Sequence, residues 1–334
     1  MKIIIDVMSG DNAPLELIKG AVMAKEHLGV DIIAVGNEGI LKNIAKEQSI
    51  NLDGIQIVNS EVVINMEDDA MSVVRSKKDS SMSIGLRMLT DGEGDAFVSA
   101  GNTGALLAGA TLIVRRIKGI KRAAIGTVLP FTPPVLLLDS GANLDIDEKT
   151  LEQFAVMGAT YMEKIYSLKS ARVGLLNNGT EPTKGTALYQ ATNALLSASN
   201  EINFVGNVEA KELPFDRCDV IICDGFTGNI LLKTIEGMGK FFMKSIKSIF
   251  YKNIVTKISA LLVKKELGGV KKQFDASEHG GAPLMGISKP VFKAHGSSDA
   301  RAVMNAVRQA KSFVETGVIE DITALAERLK NQEN

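Results

Sequence analysis

Residues 95–109, DAFVSAGNTGALLAG, pass from a short apolar run through small neutral residues into a second apolar run. The first run has the length of a buried strand, and the second has the apolar content of a packed helix. Residues 219–233, DVIICDGFTGNILLK, repeat the pattern with G-x-T-G at the same offset. A looser version, VFKAHGSSDARAV, occupies residues 291–303. The pattern predicts three strand–loop–helix units.

Further Val/Ile/Leu-rich runs end in Gly, Asn or Asp and precede helical patterns, and together they predict a three-layer α/β/α fold with a mostly parallel sheet. These runs are KIIIDV (2–7), DIIAVG (31–36), IQIVNS (55–60), VLLLDSG (135–141), RVGLLNNG (172–179) and INFVGN (202–207). Sheets of this class bind ligands at the carboxyl ends of their strands. We therefore expect the three loops to line one cleft. The length of 334 residues allows one large domain or two smaller ones.

Composition excludes several classes of function. Lys plus Arg (38) nearly balances Asp plus Glu (39), so the overall charge gives no reason to expect a nucleic-acid partner. Cys218 and Cys223 are five residues apart, a spacing that indicates neither a disulfide nor a C-x-x-C metal site. The start, MKIIIDVM, has the pattern of a strand rather than a signal peptide, and no apolar stretch approaches 18 residues. We expect a cytoplasmic protein.

One segment, residues 238–272, differs in composition from the rest of the chain. Between Lys240 and Lys272 it carries nine lysines and one acid, Glu266, among regularly spaced Phe, Ile and Leu residues. This spacing predicts amphipathic helices. Such helices pack on a partner subunit or lie in a membrane interface with their lysines at anionic headgroups.

The small-residue loops favour an anionic ligand. Glycine allows close approach to the backbone, and the first N–H groups of a helix point outward at its positive end, where phosphate binds well. A simple turn with a Ser or Thr helix cap is the alternative interpretation. The sequence has no G-x-G-x-x-G, P-loop or G-x-S-x-G motif, so no motif supports dinucleotide binding, P-loop hydrolysis or a serine hydrolase. Because the chain has only three histidines, a metal site would depend on carboxylates such as Asp139, Asp145 and Asp224.

The candidate anion-binding residues lie in the loops that follow the predicted strands. They are Asp6, Gly10, Asp11, Ser99, Gly101, Asn102, Thr103, Gly104, Asn143, Asn178, Gly179, Thr180, Glu181, Asp224, Gly225, Thr227, Gly228, Asn229, Gly296, Ser297 and Ser298. Lys184 is suited to neutralise a phosphate or a developing thiolate, with Glu181 to orient it. An ordinary surface salt bridge between Glu181 and Lys184 is the alternative.

Nine motifs, in this order, resemble the PlsX family of bacterial phosphate acyltransferases from Lys2 to about Val314. They are DVMSGDNAP (6–14), SAGNTGALLAG (99–109), RIKGIKRAA (116–124), LLDSGAN (137–143), GLLNNGTEPTKG (174–185), NFVGNVEA (203–210), DGFTGN (224–229), GGAPLMG (280–286) and KAHGSSD (293–299). Two positions depart from the family pattern. Ser9-Gly10 stands for Gly-Gly, and His279 stands for Tyr.

The resemblance implies a single catalytic domain over residues 1–334, similar to the isocitrate and isopropylmalate dehydrogenase fold and assembled as a homodimer. It implies transfer of an acyl group from acyl carrier protein to inorganic phosphate. The acyl phosphate would pass to a membrane glycerol-3-phosphate acyltransferase of phospholipid synthesis. No cofactor or metal is expected. Because phosphate itself attacks the thioester, no activated Ser or Cys is needed, and the chemistry makes Lys184 and His295 the candidates that stabilise or protonate the leaving thiolate.

Two surfaces follow from these implied partners. A cluster of cations without an acid is predicted to dock the acidic carrier protein, and it comprises Arg115, Arg116, Lys118, Lys121 and Arg122. A solvated helix end that favours cations is the alternative. The Lys-rich segment is predicted to contact the membrane surface around residues 254–263.

Three other functions compete with this interpretation. A phosphotransacetylase shares the chemistry but lacks the membrane segment. A metal-dependent decarboxylating dehydrogenase fits the fold but needs an aspartate cluster and NAD. A membrane-docked scaffold of lipid enzymes needs no catalysis at all.

Overall fold

The computed structural model describes residues 1–263, 268–269 and 280–332, and within them strands and helices alternate along most of the chain. The strands are β1 (Lys2–Asp6), β2 (Asp31–Gly36), β3 (Ile55–Asn59), β4 (Ala96–Ser99), β5 (Ala124–Ile125), β6 (Thr127–Leu129), β7 (Val135–Leu138), β8 (Arg172–Asn177), β9 (Asn203–Glu209), β10 (Val220–Ile222), β11 (Ala282–Met285) and β12 (Val291–Lys293). The helices are α1 (Leu15–Leu28), α2 (Glu38–Glu47), α3 (Ser81–Thr90), α4 (Thr103–Gly109), α5 (Glu148–Tyr166), α6 (Ala187–Ala198), α7 (Gly225–Phe250), α8 (Ile254–Leu262), α9 (Ala300–Glu315) and α10 (Val318–Gln332).

The strands form two sheets. The first has the order β3-β2-β1-β4-β12-β11-β5, and the second has the order β6-β7-β10-β8-β9. β11 is antiparallel to both neighbours and β6 is antiparallel to β7, whereas the other pairings are parallel. Only Gly126 separates β5 from β6, so one short segment leads directly from the first sheet into the second.

Helices cover both faces of each sheet. In β1, Ile3 and Ile5 belong to one buried cluster with α1 and α9, whereas Ile4 belongs to a second cluster with α3 and α4, because successive side chains point to opposite faces. The second sheet behaves alike: Leu136 and Leu138 share a cluster with α5, and Leu137 packs with residues of α7. This arrangement confirms the predicted three-layer α/β/α fold.

The described part of the Lys-rich segment is helical, and its first helix begins earlier than the composition indicates. α7 runs unbroken for 26 residues from Gly225, about 39 Å at 1.5 Å per residue, and α8 follows after a short turn. Exposed apolar side chains include Phe241 and Ile249 on α7 and Ile254 and Leu262 on α8. Residues 264–267 and 270–272 of the predicted segment lie outside the described residues, as does His279.

Candidate active site at the carboxyl edges of the sheets

Three loops emerge side by side from the first sheet. β1, β4 and β12 are parallel neighbours, and their last residues are in register, with Asp6 opposite Ser99 and Ser99 opposite Lys293. The loops after these strands therefore share one edge of the sheet. Two of the three loops in the repeated pattern meet here, those of β4 and β12, joined by the loop of β1.

The loops touch through their backbones. The N–H of Asp11 donates to the carbonyl of Gly296 at 2.8 Å, and the side-chain amide of Asn12 donates to the carbonyl of Ser297 at 3.0 Å. Gly10 has φ +124°, and a Cβ at this position would lie 3.0 Å from Cβ of Ala100 and 3.1 Å from the carbonyl oxygen of Gly296. The contact between the three loops thus depends on a residue without a side chain.

Gly10→Ala should lower kcat/KM by about tenfold, because the added methyl group forces the three loops apart and small displacements of positioning groups are costly. Gly29→Ala is the matched control. Gly29 also has a positive φ, +63°, but nothing lies within 4 Å of a Cβ built there. Steady-state kinetics of both variants test the prediction, and equal kcat/KM in the two would contradict it.

Asp6, at the end of β1, anchors the loop that follows β4. It is fully buried, its Oδ2 accepts from the hydroxyl of Ser99 at 2.8 Å, and that hydroxyl oxygen accepts from the N–H of Gly101 at 3.1 Å. Burial raises the pKa of Asp6, against the lowering effect of nearby serine hydroxyls. Asp6 and Ser99 therefore hold the backbone of the 99–103 loop.

The side chain of Asn102 is fully engaged within the protein. Its Oδ1 caps α4 by accepting from the N–H of Ala105 at 3.0 Å, and its Nδ2 donates to the carbonyls of Met66 at 2.8 Å and Asp68 at 3.1 Å. Thr103 and Gly104 begin the helix behind this cap. Asn102 accordingly shapes the loop, and a direct contact with an anion stays a prediction for Asn102, Thr103 and Gly104.

The loop after β12 carries the groups best suited to contact a ligand. Ser298 is 3% exposed, and its hydroxyl has no hydrogen-bond partner among the described residues. The Nδ1 atom of His295 lies 2.9 Å from the hydroxyl of Ser297 and accepts from the N–H of Ser297 at 3.2 Å. Burial lowers the pKa of His295; Glu236 of α7 opposes this effect, and Lys233 of the same helix adds to it. The imidazole is therefore neutral near pH 7.

Two lysines at this edge were not predicted. Lys293 ends β12, and its Nζ donates to the carbonyls of Ala100, at 3.1 Å, and Ala294. Burial lowers the pKa of Lys293 to about 8. Lys233 of α7 lies close enough to lower the pKa values of both Lys293 and His295. α7 thus brings an ion pair, Lys233 with Glu236 at 2.8 Å, from the second sheet to the edge of the first.

In the second sheet, Asp139 directly follows β7 and accepts hydrogen bonds from several backbone N–H groups. Its carboxylate accepts from the N–H groups of Gly141, Ala142 and Asn143 at 2.7–3.1 Å. The side chain of Asn143 joins this network by donating to Asp139 at 2.9 Å. Burial raises the pKa of Asp139. These contacts occupy both carboxylate oxygens, and no group of three potential metal ligands occurs among the described residues.

The loop after β10 starts its helix two residues earlier than the repeated sequence indicates. Asp224 caps α7 by accepting from the N–H of Thr227 at 2.9 Å and from the hydroxyl of Tyr189 at 2.6 Å. Although burial opposes ionisation, the hydrogen bonds from Tyr189 and Thr227 lower the pKa of Asp224 overall. Thr227 is therefore the third residue of its helix, whereas Thr103 is the first of α4. The two G-x-T-G motifs have different backbone roles.

Gly225, Gly228 and Asn229 pack at this same junction. The N–H of Gly225 donates to the carbonyl of Asn143 at 2.6 Å, and a Cβ on Gly228 would lie 1.9 Å from the carbonyl oxygen of Asp139. Asn229 lies against Gly141. The loop after β10 thus belongs to the second sheet and does not share the edge of β4 and β12, although α7 connects it with their loops. That all three loops line one cleft stays a prediction.

The loop after β8 places Asn178, Thr180, Glu181 and Lys184 on the second sheet, on exposed positions. Glu181 and Lys184 lie over the buried Gly179, where a Cβ would be 2.9 Å from Oε2 of Glu181 and 2.8 Å from Cγ of Lys184. Thr180 lines a cavity of about 450 Å³ beside β9 and α6. Lys184 and His295 thus belong to different sheets, and their joint role stays a prediction.

The predicted docking cluster lies on one exposed segment. The π-helical turn Ala110–Val114 precedes it, Arg115 has φ +77°, and Ile117 and Ile120 anchor it in the core. Its five cations are exposed. Lys121 forms an ion pair with Asp147 at 2.9 Å, and the guanidinium of Arg116 donates to the carbonyl of Lys121. Arg115 is thus the C-terminal cap of the helical turn, and the other four cations lie on the irregular connection that follows it. Both interpretations of the cluster stay predictions.

Solved structures share this fold. The chain aligns with a phosphotransacetylase from Streptococcus pyogenes at a TM-score of 0.61 and 16% identity, covering 96% of this chain and 94% of that one. The EutD phosphotransacetylase from Staphylococcus aureus gives a TM-score of 0.59 at 16% identity, with 95% and 93% coverage. A 4-hydroxythreonine-4-phosphate dehydrogenase from Klebsiella pneumoniae gives 0.56 at 10% identity, with 94% and 99% coverage.

Sequence relatives are closer. The family described as "Fatty acid synthesis protein" matches residues 1–321. A protein named phosphate acyltransferase from Fusobacterium nucleatum is 45% identical over 325 residues, covering 96% of this chain and 98% of that one. A phosphate acyltransferase from Thermoanaerobacter pseudethanolicus is 43% identical over 324 residues, 96% of each chain.

The chain has the α/β fold that these phosphotransacetylases and the dehydrogenase also have, and its candidate site lies at the carboxyl edges of two linked sheets. The sequence matches go further: the chain belongs to the fatty acid synthesis protein family, that is, the PlsX family, and it is an acyltransferase. The resemblance read from the nine motifs is confirmed.

Proposed function

We propose that this acyltransferase moves an acyl group from acyl carrier protein to inorganic phosphate, which attacks the thioester directly. The observation that carries the proposal is the meeting of three small-residue loops beside Lys293, His295 and the hydroxyl of Ser298, which has no partner in the described part of the chain. Family membership supports phosphate as the acceptor, because the relatives are named phosphate acyltransferases. The product would serve phospholipid synthesis.

The cysteines support direct attack over a covalent acyl-thioenzyme. Cys218 and Cys223 are both buried. Burial raises the pKa of Cys218 to about 12 and the pKa of Cys223 well above its ordinary value. Since the thiolate is the nucleophilic form, neither thiol is suited to attack a thioester. The enzyme's contribution is then to position phosphate and stabilise the oxyanion with N–H donors.

The deciding experiment is acyl phosphate formation from long-chain acyl carrier protein and phosphate, trapped as the hydroxamate, with acetyl-CoA as comparison donor. We expect product from the carrier-protein donor without added metal or NAD, and no acyl-enzyme when phosphate is omitted. Preference for acetyl-CoA would instead support a phosphotransacetylase. A requirement for metal and NAD would support a dehydrogenase, and absence of all turnover would support a scaffold.

The exposed cations after α4 are proposed to dock the acidic carrier protein. Charge reversal by Lys118→Glu and Arg122→Glu should raise the apparent KM for acyl carrier protein about fivefold or more, with a smaller change in kcat, because rim charges mainly affect encounter. Lys46→Glu, on the exposed end of α2, is the control. An unchanged KM in the cluster variants would remove this role.

The exposed apolar side chains of α7 and α8 are proposed to contact anionic lipid, which would place this enzyme on the cytoplasmic membrane surface near a glycerol-3-phosphate acyltransferase. Ile254, Val255, Ile258 and Leu262 are 57–80% exposed. Within the part of the chain that the structure describes, no helix is long and apolar enough to span a membrane.

Homodimer formation and a single catalytic domain over residues 1–334 belong to the same proposal.

Wild-type protein should sediment with anionic liposomes at low salt, and Ile254→Glu with Ile258→Glu should reduce the bound fraction at least about fivefold, because a charged group opposes insertion of the apolar face. Neutral liposomes are the control for the lysines. Sedimentation of the double variant at the wild-type level, or no binding by wild type, would contradict membrane contact.

A further inference from the structure

Lys293 joins the loops that follow β4 and β12. As the last residue of β12 it lies opposite Ser99, and its Nζ donates to the carbonyl of Ala100 across the strand pair at 3.1 Å and to the carbonyl of Ala294 in its own loop. One ammonium group therefore ties together the two loops that carry SAGNTGA and AHGSSD.

The charges that face Lys293 come from three elements. Asp6 ends β1, and Asp11 lies in the loop that follows it. Lys233 approaches from α7, where it forms an ion pair with Glu236 at 2.8 Å, and His295 follows Lys293 in the loop after β12. Burial lowers the pKa of Lys293 to about 8; the two carboxylates oppose this effect and Lys233 adds to it. The pKa of Asp6 is itself raised by burial, which weakens its compensation of the ammonium.

A dianion bound at this site would pair with the Ser298 hydroxyl and with the Lys293 ammonium. The hydroxyl of Ser298, in the loop that follows Lys293, is buried without a partner among the described residues. A phosphate at this edge would accept from that hydroxyl and compensate the ammonium charge, since opposite charges within a few ångströms favour the charged form. Phosphate binding and protonation of Lys293 are then coupled.

On the basis of the phosphate-acceptor function proposed above, we propose that Lys293 is a positioning residue for phosphate, which fixes the two loops and supplies the positive charge that the dianion needs. Its role differs from that of His295. Loss of the ammonium weakens phosphate binding, whereas loss of the imidazole slows departure of the thiolate. In the free enzyme the ammonium loses its proton above about pH 8, so phosphate affinity falls above that pH.

The test measures phosphate dissociation constants by titration calorimetry, and phosphate KM in parallel, from pH 7.5 to 9.5. In wild type we expect a constant Kd up to about pH 8 and a rise approaching tenfold per unit above it. Lys293→Met should raise Kd at pH 7.5 at least about tenfold and remove the rise. Lys293→Arg should retain part of the affinity, also without the rise, because guanidinium does not titrate in this range.

Lys311→Met is the matched control. Lys311 also donates its Nζ to a backbone carbonyl, that of Leu28 at 3.1 Å, but it lies in α9 away from the loops of this edge. We expect wild-type phosphate affinity and the wild-type pH dependence in this variant. Thermal unfolding of each variant checks that it is folded.

The outcomes separate this inference from the proposed function. A folded Lys293→Met variant with wild-type phosphate Kd and pH profile would overturn the role of Lys293 and leave acyl phosphate formation standing. Absence of acyl phosphate from wild type would overturn the function, while direct phosphate binding still tests Lys293. Should Lys293→Met not fold, a Lys293→Arg variant whose Kd rises above pH 8 like that of wild type would contradict the proposal.

Discussion

Replacing His295 with alanine should lower kcat for acyl phosphate formation about 100-fold, the usual loss for one hydrogen-bond donor to developing negative charge. Because the N–H of Ser297 donates to Nδ1 at 3.2 Å, the proton of the neutral ring lies on Nε2. Burial lowers the pKa of His295, so this neutral form dominates near pH 7. Nε2–H is then available to the departing thiolate.

Lys184→Ala should lower turnover less, about tenfold, since Lys184 is exposed and belongs to the other sheet. Lys42→Ala is the control, because Lys42 is an exposed lysine paired with Glu38 on α2. Rapid-quench measurement of kcat, with circular dichroism to verify folding, decides each case. A folded His295→Ala variant at the wild-type rate would refute its role, and the same result for Lys184→Ala would refute that one.

Gly228→Ala should destabilise the protein by about 3 kcal/mol, at the upper end of ordinary overpacking. A Cβ there would lie 1.9 Å from the carbonyl oxygen of Asp139 and 3.0 Å from Sγ of Cys223. Asp139 cannot move aside, because it is fully buried and its carboxylate holds the N–H groups of the loop that follows. The methyl group must therefore displace the start of α7.

Gly237→Ala in the same helix is the control, since nothing lies within 4 Å of a Cβ at Gly237. This change should leave stability equal or raise it by up to about 1 kcal/mol, because alanine favours the helix. Urea unfolding of both variants gives the comparison. Equal midpoints for Gly228→Ala and wild type would show that the contact between α7 and Asp139 is not a tight one.

The sequence predicted most of the parallel strands. Each Val/Ile/Leu-rich run became a strand, including β1 (Lys2–Asp6) and β8 (Arg172–Asn177), because a strand buried on both faces is apolar throughout. The sequence reasoning missed β5, β6 and β11. These strands have two to four residues and are antiparallel at one or both pairings, so their composition carries no repeating signal.

The sequence predicted the loops of the candidate site but not the roles of its charged residues. Asp139, weighed from sequence as a metal ligand, proved to hold N–H groups, and Tyr189 proved to support Asp224. Lys293 had a usable signal, a lysine that ends an apolar strand directly before AHGSSD. Lys233 had none, because its position near His295 depends on the path of α7.

By itself, the sequence determined that strands and helices alternate and that small residues follow the strands, since periodicity and glycine content act over a few residues. Only the tertiary structure decided which loops meet. Strand order and the division into two sheets arise from pairings between distant segments, such as β4 with β12, whose paired residues Ser99 and Lys293 lie far apart in the chain. Local pattern cannot encode such a pairing, so the place where SAGNTGA meets AHGSSD is a property of the folded chain alone.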